Sequence, residues 1–460
     1  MFNRIKKYSF FVIILVGILA YYLSPLIIDD DIVLWAFAHL ILNAVVLHYH
    51  LNYFKEREQE AFPVIPILVL YNSINFTFSI FYVAPDEYQL SPVSVEALMY
   101  SFFAFLLFYL TFYSFLSFFL NSNKFHYFDE NDKLVEPFIF VISIISIIGL
   151  FTDLGIPVLF DTSSLIVIGM ILYKLVEKIR INYFQLIIFA IFLYRELVFR
   201  TTSGLIYLIV IFFLYCFFVI QLSTKKIRKN LISSIFLYSG VFFYLIFSPI
   251  KDEYRKISYD PDFEKKSTST DKLNLILDLY NVDRSNVVNY ESKERKRANE
   301  NPFWRFSYQP SAISMVMDKT PSEVPYWGGI TYLPFFIKFI PRIFWPDKPI
   351  ENMGQQFGHT YHKLRDDDTV TSLNNPILAE MYMNFGIWGM MIGSIILGFA
   401  FIVIAKIFNQ SSTNPFDNIL NITFLLNLFI WESNASQVLG IFIIYYILFL
   451  LIFKIIKSFV

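Results

Sequence analysis

The chain reads as long unbroken apolar runs separated by short polar breaks, with neither a strand period nor an amphipathic helical stripe inside the runs. Runs fall at 8–28, 32–53, 62–84, 97–120, 137–154, 162–178, 183–199, 203–222, 231–250, 384–407, 415–433 and 436–456. A stretch of about 20 apolar residues crosses the roughly 30 Å hydrocarbon core of a bilayer as a helix. Backbone amides in lipid must be satisfied within the segment, so the runs are expected to be helices. The expectation is an all-α polytopic membrane protein of about twelve spans. The division between 137–154 and 162–178 rests on Gly155 and Pro157, which break the run.

Charge sets the orientation. Arg4, Lys6 and Lys7 precede the first run, Lys55 and Arg57 follow the second, and Lys178 and Arg180 follow the sixth. Lys225, Lys226, Arg228 and Lys229 follow the eighth, Lys406 the tenth, and Lys454 and Lys457 close the last. With twelve spans these cations share one side, and the remaining short loops are acidic or neutral (Asp29 to Asp31, Asp86, Glu87, Asp153, Asp161). Both termini are therefore expected in the cytoplasm, in a cytoplasmic membrane. MFNRIKK and the run after it resemble a secretory signal, but the run is long and lacks a small-residue cleavage site, so it reads as an uncleaved span. The expected organisation is 1–250 as spans one to nine, 251–383 as a large extracytoplasmic loop, and 384–460 as the last three spans. Within the loop, 272–281 reads as a short amphipathic helix, and TYLPFFIKFIPRIFW at 331–345 as an interfacial or re-entrant segment.

Composition agrees. Of 460 residues 56% are hydrophobic and only 16% charged, against about 25% charged in soluble domains. Aromatics reach 20%, with 54 Phe and 30 Tyr, as suits interfacial belts. A net charge of −1 gives no pull towards nucleic acid, and the single Cys216 excludes an internal disulfide.

Charged residues at membrane depth are costly and mark sites. Arg195, Glu196 and Arg200 sit near the outer end of the seventh run, and Lys251, Asp252, Glu253 and Arg255 where the ninth exits. Arg305 follows Phe303 and Trp304, Arg342 and Lys348 lie in PRIFWPDKP at 341–349, and Glu380 stands just before the tenth run. All are expected at the outer surface. Each has a plain reading too: Arg200 and Lys251 as snorkelling cations, Arg195 with Glu196 as a buried ion pair, and KERKR at 293–297 as a solvated face. Asp366 to Asp368 read as solvated acids, and His359 with His362 lacks a third ligand, so no metal is expected. No P-loop or dinucleotide fingerprint occurs. Arginines with a fixed fork and permanent charge suit a pyrophosphate headgroup. A sugar on a lipid pyrophosphate is already activated, needing positive charge at the departing oxygen and a base for the acceptor hydroxyl. Glu380 or His359 could be that base, and Trp304, Trp327 and Trp345 could stack on sugar rings or anchor at the interface.

With PRIFWPDKP and the downstream PILAEMYMNFGIWG at 376–389, the chain resembles the Wzy-type repeat-unit polymerases of bacterial surface polysaccharides, most strongly over about 300–390. The resemblance implies a membrane-embedded, C-class glycosyltransferase type of fold without metal, cofactor or nucleotide donor. It implies joining of undecaprenyl-pyrophosphate-linked oligosaccharides at the outer face, the growing chain as donor and a new lipid-linked unit as acceptor. Matching positions are Arg342, Trp345, Lys348, Glu380 and Asn384. Arg195, Arg200 and Arg255 fit the family's habit of arginines on outer loops. Related O-antigen ligases use a histidine in the corresponding region, for which His359 is the candidate. The expected partners are the lipid-linked donor and acceptor and the bilayer, with a chain-length regulator protein admitted and nucleic acid excluded.

The reading is thus a polysaccharide polymerase, with Arg195, Arg200, Arg255 and Arg342 on the pyrophosphate and Arg305 and Lys348 as further candidates. Glu380 is the first choice of base and His359 the second. The alternatives are a ligase that transfers finished chains, and a lipid-linked oligosaccharide flippase, which would place polar residues at mid-membrane depth.

Overall fold

Each expected span from 32–53 onward coincides, wholly or in part, with a helix in the computed structural model. The structure describes residues 30–56, 64–77, 90–120, 128, 133–151, 157–203, 206–247, 250–258, 260, 263, 266–281, 307–338, 340, 345, 347–349, 351–369, 371–408, 414–425, 428 and 431–459. The first expected span, 8–28, lies outside them, as do Trp304, Arg305, Arg342 and the 293–297 cluster.

Among the described residues the protein is helical and has no strand. The helices are α1 (Asp30–Glu56), α2 (Val64–Thr77), α3 (Val95–Leu120), α4 (Val135–Phe151), α5 (Pro157–Glu177), α6 (Tyr183–Thr202), α7 (Ile206–Gln221) and α8 (Lys226–Phe247). The segment expected as a loop forms short helices: α9 (Lys251–Ser258), α10 (Ser269–Asn281), α11 (Tyr308–Lys319), α12 (Leu333–Ile337) and α13 (Met353–Thr360). Then come α14 (Ile377–Phe408), α15 (Pro415–Leu425), a π-helical turn (Ser436–Gly440) and α16 (Ile441–Phe459). The amphipathic reading of 272–281 falls inside α10.

Among the described residues three helices are long and apolar enough to cross a membrane: Asp31–Tyr53, Val95–Leu116 and Ile377–Ile407. Their outward faces carry Leu34, Ile41 and Val45 on α1 and Trp388, Ile392, Ile396 and Val403 on α14, all exposed. Such apolar stripes suit lipid rather than water. The protein is an integral membrane protein. The eleventh expected span, 415–433, is shorter than its apolar run: α15 ends at Leu425, and Trp431 to Ser433 form a turn.

Inside, α3 packs along α14, and α11 wedges between α2, α3 and α14. Every residue of α11 from Tyr308 to Val316 is buried. Its Ser311 and Ser314 hydroxyls accept from the Ser91 and Ser94 amides at 3.0 and 2.9 Å, holding the chain that enters α3. Trp431, 1% exposed, sits among Phe105, Phe108 and Phe401 with ring centroids 5.9, 5.4 and 5.8 Å away. Each such aromatic pair contributes about 0.5–1.5 kcal/mol beyond its burial. α15 touches α5, α7 and α16.

Without a hydrophobic drive between helices in lipid, close backbone approach matters. A Cβ on Gly398 would meet the Thr111 Cβ at 2.9 Å and the Phe108 carbonyl oxygen at 3.0 Å, so α3 and α14 touch at a glycine. Gly398→Val should therefore destabilise the protein by about 1–3 kcal/mol. Ile396→Val, on the exposed face of the same helix, should do little. Thermal unfolding of both variants in detergent checks this; equal midpoints would contradict the packing.

Candidate active site

The site is built at the start of α14. Pro376 precedes the helix, and the first free amide, that of Ile377, donates to the Trp431 carbonyl at 3.2 Å. This sets residues 375–380 alongside 431–436. Glu380 occupies the first turn, where the helix dipole favours an anion. Its side chain is fully buried. Oε2 accepts from the Ala435 amide at 2.7 Å, while Oε1 has no hydrogen-bond partner and the Thr331 hydroxyl lies close enough to act on the carboxylate.

One turn on, Asn384 ties a loop to this turn. Its Nδ2 donates to the Thr331 Oγ1 at 2.7 Å and to the Glu380 carbonyl at 2.8 Å, and its Oδ1 accepts from the Gly329 amide at 2.8 Å. The helix then breaks: Phe385 has φ −141° and Gly386 φ +64°, ψ −150°, a region open essentially only to glycine. A Cβ on Gly386 would also lie 2.8 Å from the Tyr326 hydroxyl oxygen. The carbonyls of Met383 and Asn384 are taken instead by the Trp327 and Gly328 amides at 3.1 and 3.3 Å. Residues 387–408 beyond the break run about 33 Å at 1.5 Å per residue, enough for the membrane core. Burial, and then the neighbouring Glu380 carboxylate, raise the Tyr332 phenol above its usual pKa.

A second set of charges meets the same place. Lys338 follows α12, and its Nζ donates to Glu351 Oε2 at 2.6 Å and to the Ser436 carbonyl at 2.9 Å. Glu351 Oε1 accepts from Asn434 Nδ2 at 2.9 Å. Three successive residues, Asn434, Ala435 and Ser436, thus each bind one of three charged side chains. The sequence reading missed Lys338, Glu351 and this turn. The signal for Lys338 was present, since it is the lone cation before Arg342 within the apolar stretch TYLPFFIKFIPRIFW.

The other candidates are distributed as follows. Trp327 is half-buried beside Asn384 in the same loop, and Trp345 is exposed. Lys348 Nζ caps the Ile340 carbonyl at 3.0 Å, close to the end of α12. His359, on α13, has its Nε2 3.0 Å from the Asp368 carbonyl, and α13 is held to the Leu373 segment through the Gly354 carbonyl. Among the described residues no three His, Cys, Asp or Glu side chains gather as a metal would require.

The arginines form another cluster. Glu196, 1% exposed, accepts from Arg195 Nη1 at 3.1 Å, Arg200 Nε at 2.9 Å and the Ser164 hydroxyl at 2.5 Å. Arg200 also donates to the Leu208 carbonyl at 3.0 Å and lies over the Phe212 ring at 5.4 Å. This is the ion-pair reading with a second arginine added, and it leaves one net positive charge. Arg195, at 23% exposure, is its more open member. Tyr254 donates to the Thr202 carbonyl at 2.6 Å and brings α9, with Arg255, to the end of α6. The Thr423 hydroxyl on α15 donates to the Tyr215 hydroxyl on α7 at 3.1 Å, so α15 is tied to the arginine half.

A buried carboxylate with one open oxygen, on a kinked membrane helix and beside a half-buried lysine, gives this membrane-embedded protein a polar candidate site. Residues 307–460, about a third of the chain, match the model of the family described as O-antigen polysaccharide polymerase Wzy. The match contains Glu380, Asn384, Lys338, Glu351 and Ser436. No curated protein and no solved structure matches the chain.

Glu196 is the one anion shared by two arginines, and removing it leaves the buried Arg200 without its counter-ion, at a cost of about 3–5 kcal/mol. Glu196→Gln should lower the thermal midpoint in detergent sharply, and Arg200→Met with Glu196→Gln should recover part of the loss. Additive losses in the double variant would show that the two side chains are not coupled.

Proposed function

We propose that the protein joins lipid-pyrophosphate-linked oligosaccharide repeat units at the outer face of the cytoplasmic membrane. The observation that carries this reading is the buried Glu380 carboxylate, one oxygen fixed by Ala435 and the other open, inside the Wzy-matched region. Glu380 is the general base. It takes the proton of the acceptor hydroxyl as that oxygen attacks the anomeric carbon of the donor sugar. The bond from that carbon to the pyrophosphate oxygen breaks, and its electron pair leaves on the phosphate. Arginine and lysine side chains neutralise the departing charge, so the step needs neither metal nor nucleotide.

Arg342 and Lys348 are assigned to the pyrophosphate, with Arg195, Arg255 and Arg305 as further cations and Arg200 as the partner that holds Glu196. Trp327, Trp345 and Asn384 are assigned to the sugar. His359 is the second candidate for the base. In this reading the chain crosses the membrane about twelve times with both termini in the cytoplasm, and residues 251–383 cover the outer face. A lipid carrier of the undecaprenyl pyrophosphate type and a chain-length regulator complete the expected partners.

General-base catalysis typically contributes about 10²–10⁴-fold. Glu380→Gln should therefore abolish long polymer in cells while single repeat units persist, and Arg342→Ala should do the same. Gel separation of surface polysaccharide from stably expressed variants reads this. Normal chain lengths in both would contradict the assignment, and long lipid-linked polymer would point to a ligase.

A further inference from the structure

Glu380 Oε1 is not the only buried polar atom at the Asn434–Ser436 turn without a partner. The Ser436 hydroxyl is fully buried and unpaired as well. Serine and threonine hydroxyls in helices normally donate to the carbonyl four residues back. Ser73, Ser143 and Thr202 do so here, at 2.7, 2.6 and 2.8 Å. Ser436 opens a π-helical turn, and the residue four back, Glu432, belongs to a turn instead of a helix. π-turns of this kind recur at functional sites.

The two unpaired atoms flank one hydrogen bond. Ala435 donates its amide to Glu380 Oε2, and Ser436 is the next residue. The turn cannot drift away from Glu380, because Lys338 holds the Ser436 carbonyl and Glu351 holds the Asn434 side chain. The Lys338 stem in turn lies over Gly440, where an added Cβ would come within 3.4 Å of its Cδ. Buried polar groups are costly to leave unmatched. Two at one anchored turn therefore point to a ligand group.

Donor and acceptor chemistry narrows that group. A carboxylate oxygen only accepts, whereas a serine hydroxyl both donates and accepts. A phosphate oxygen would meet Ser436 but be repelled by Glu380. A hydroxyl satisfies both, donating to one and accepting from the other. We propose that Glu380 Oε1 and Ser436 Oγ together bind one hydroxyl of the substrate, the one that loses its proton. The identity of that hydroxyl as the acceptor sugar's rests on the polymerase reading. Ser436 is then a substrate-contacting residue, and Lys338 and Glu351 are positioning residues acting through the turn.

The test uses the full-length protein in lipid nanodiscs with the lipid-linked repeat unit extracted from cells lacking the protein. Two quantities are read for wild type, Ser436→Ala and Ser436→Thr: the polymerisation rate, and the thermal midpoint with and without the unit. The expected result is about a tenfold slower rate in Ser436→Ala, a smaller stabilisation by the unit, an unliganded midpoint unchanged or raised, and recovery in Ser436→Thr. A Ser436→Ala protein as fast and as strongly stabilised as wild type overturns the pocket and leaves the polymerase reading standing. A lowered unliganded midpoint in Ser436→Ala also overturns it, since the hydroxyl would then serve the fold. A wild type that makes no polymer, yet is stabilised by the unit more than Ser436→Ala is, supports the pocket and overturns the polymerase reading.

Discussion

The hydrogen bond from the Ala435 amide to the Glu380 carboxylate, 2.7 Å long, is the contact on which the site depends. It joins the first turn of α14 to the segment that enters α16. A carboxylate with no exposed surface is costly unless it is bonded. This amide satisfies one oxygen, and the helix N-terminus favours the charge. With Oε2 fixed, Oε1 has a defined direction. The Trp431 carbonyl on Ile377 and the Lys338 ammonium on the Ser436 carbonyl keep the two segments in register around it. The break at Gly386 then separates this rigid turn from the apolar length of α14 that suits lipid.

The same economy governs the rest of the molecule. Apolar side chains of α1 and α14 face outward, and the contact between α3 and α14 uses Gly398 to bring backbones together. Two sets of opposite charges lie inside the described residues. Glu196 sits between Arg195 and Arg200, and Glu351 between Lys338 and Asn434. The arginine set carries surplus positive charge and includes one partly open member, Arg195.

Much of this was legible in the sequence, for physical reasons that can be named. Apolar runs must be helical in lipid, so the positions of α1 to α8, α14 and α16 follow from hydropathy alone. Glu380 and Asn384 stood out as polar residues four apart beside an apolar run, and they share one face of α14. The expected boundary at 384 placed Glu380 before the helix, whereas α14 begins at Ile377, because Pro376 and the Trp431 carbonyl start it earlier. Lys338 and Glu351 are 13 positions apart, and their pairing with Asn434 is set by tertiary contact that no local pattern encodes. The π-turn at Ser436–Gly440 was hidden inside what reads as an ordinary apolar span. Arg200 looked like a free cation because sequence shows its position but not that Glu196 takes its guanidinium.

The central claim is that side chains of this protein alone, with Glu380 as base, build polymer from lipid-linked units. Its most direct measurement is product length after the purified protein is mixed with a defined lipid-linked repeat unit in the presence of a strong chelator. The account predicts a ladder of lengthening products on a lipid carrier, with free lipid pyrophosphate released at each addition. Single units that persist unchanged, or polymer that forms only after a divalent metal is restored, would contradict it.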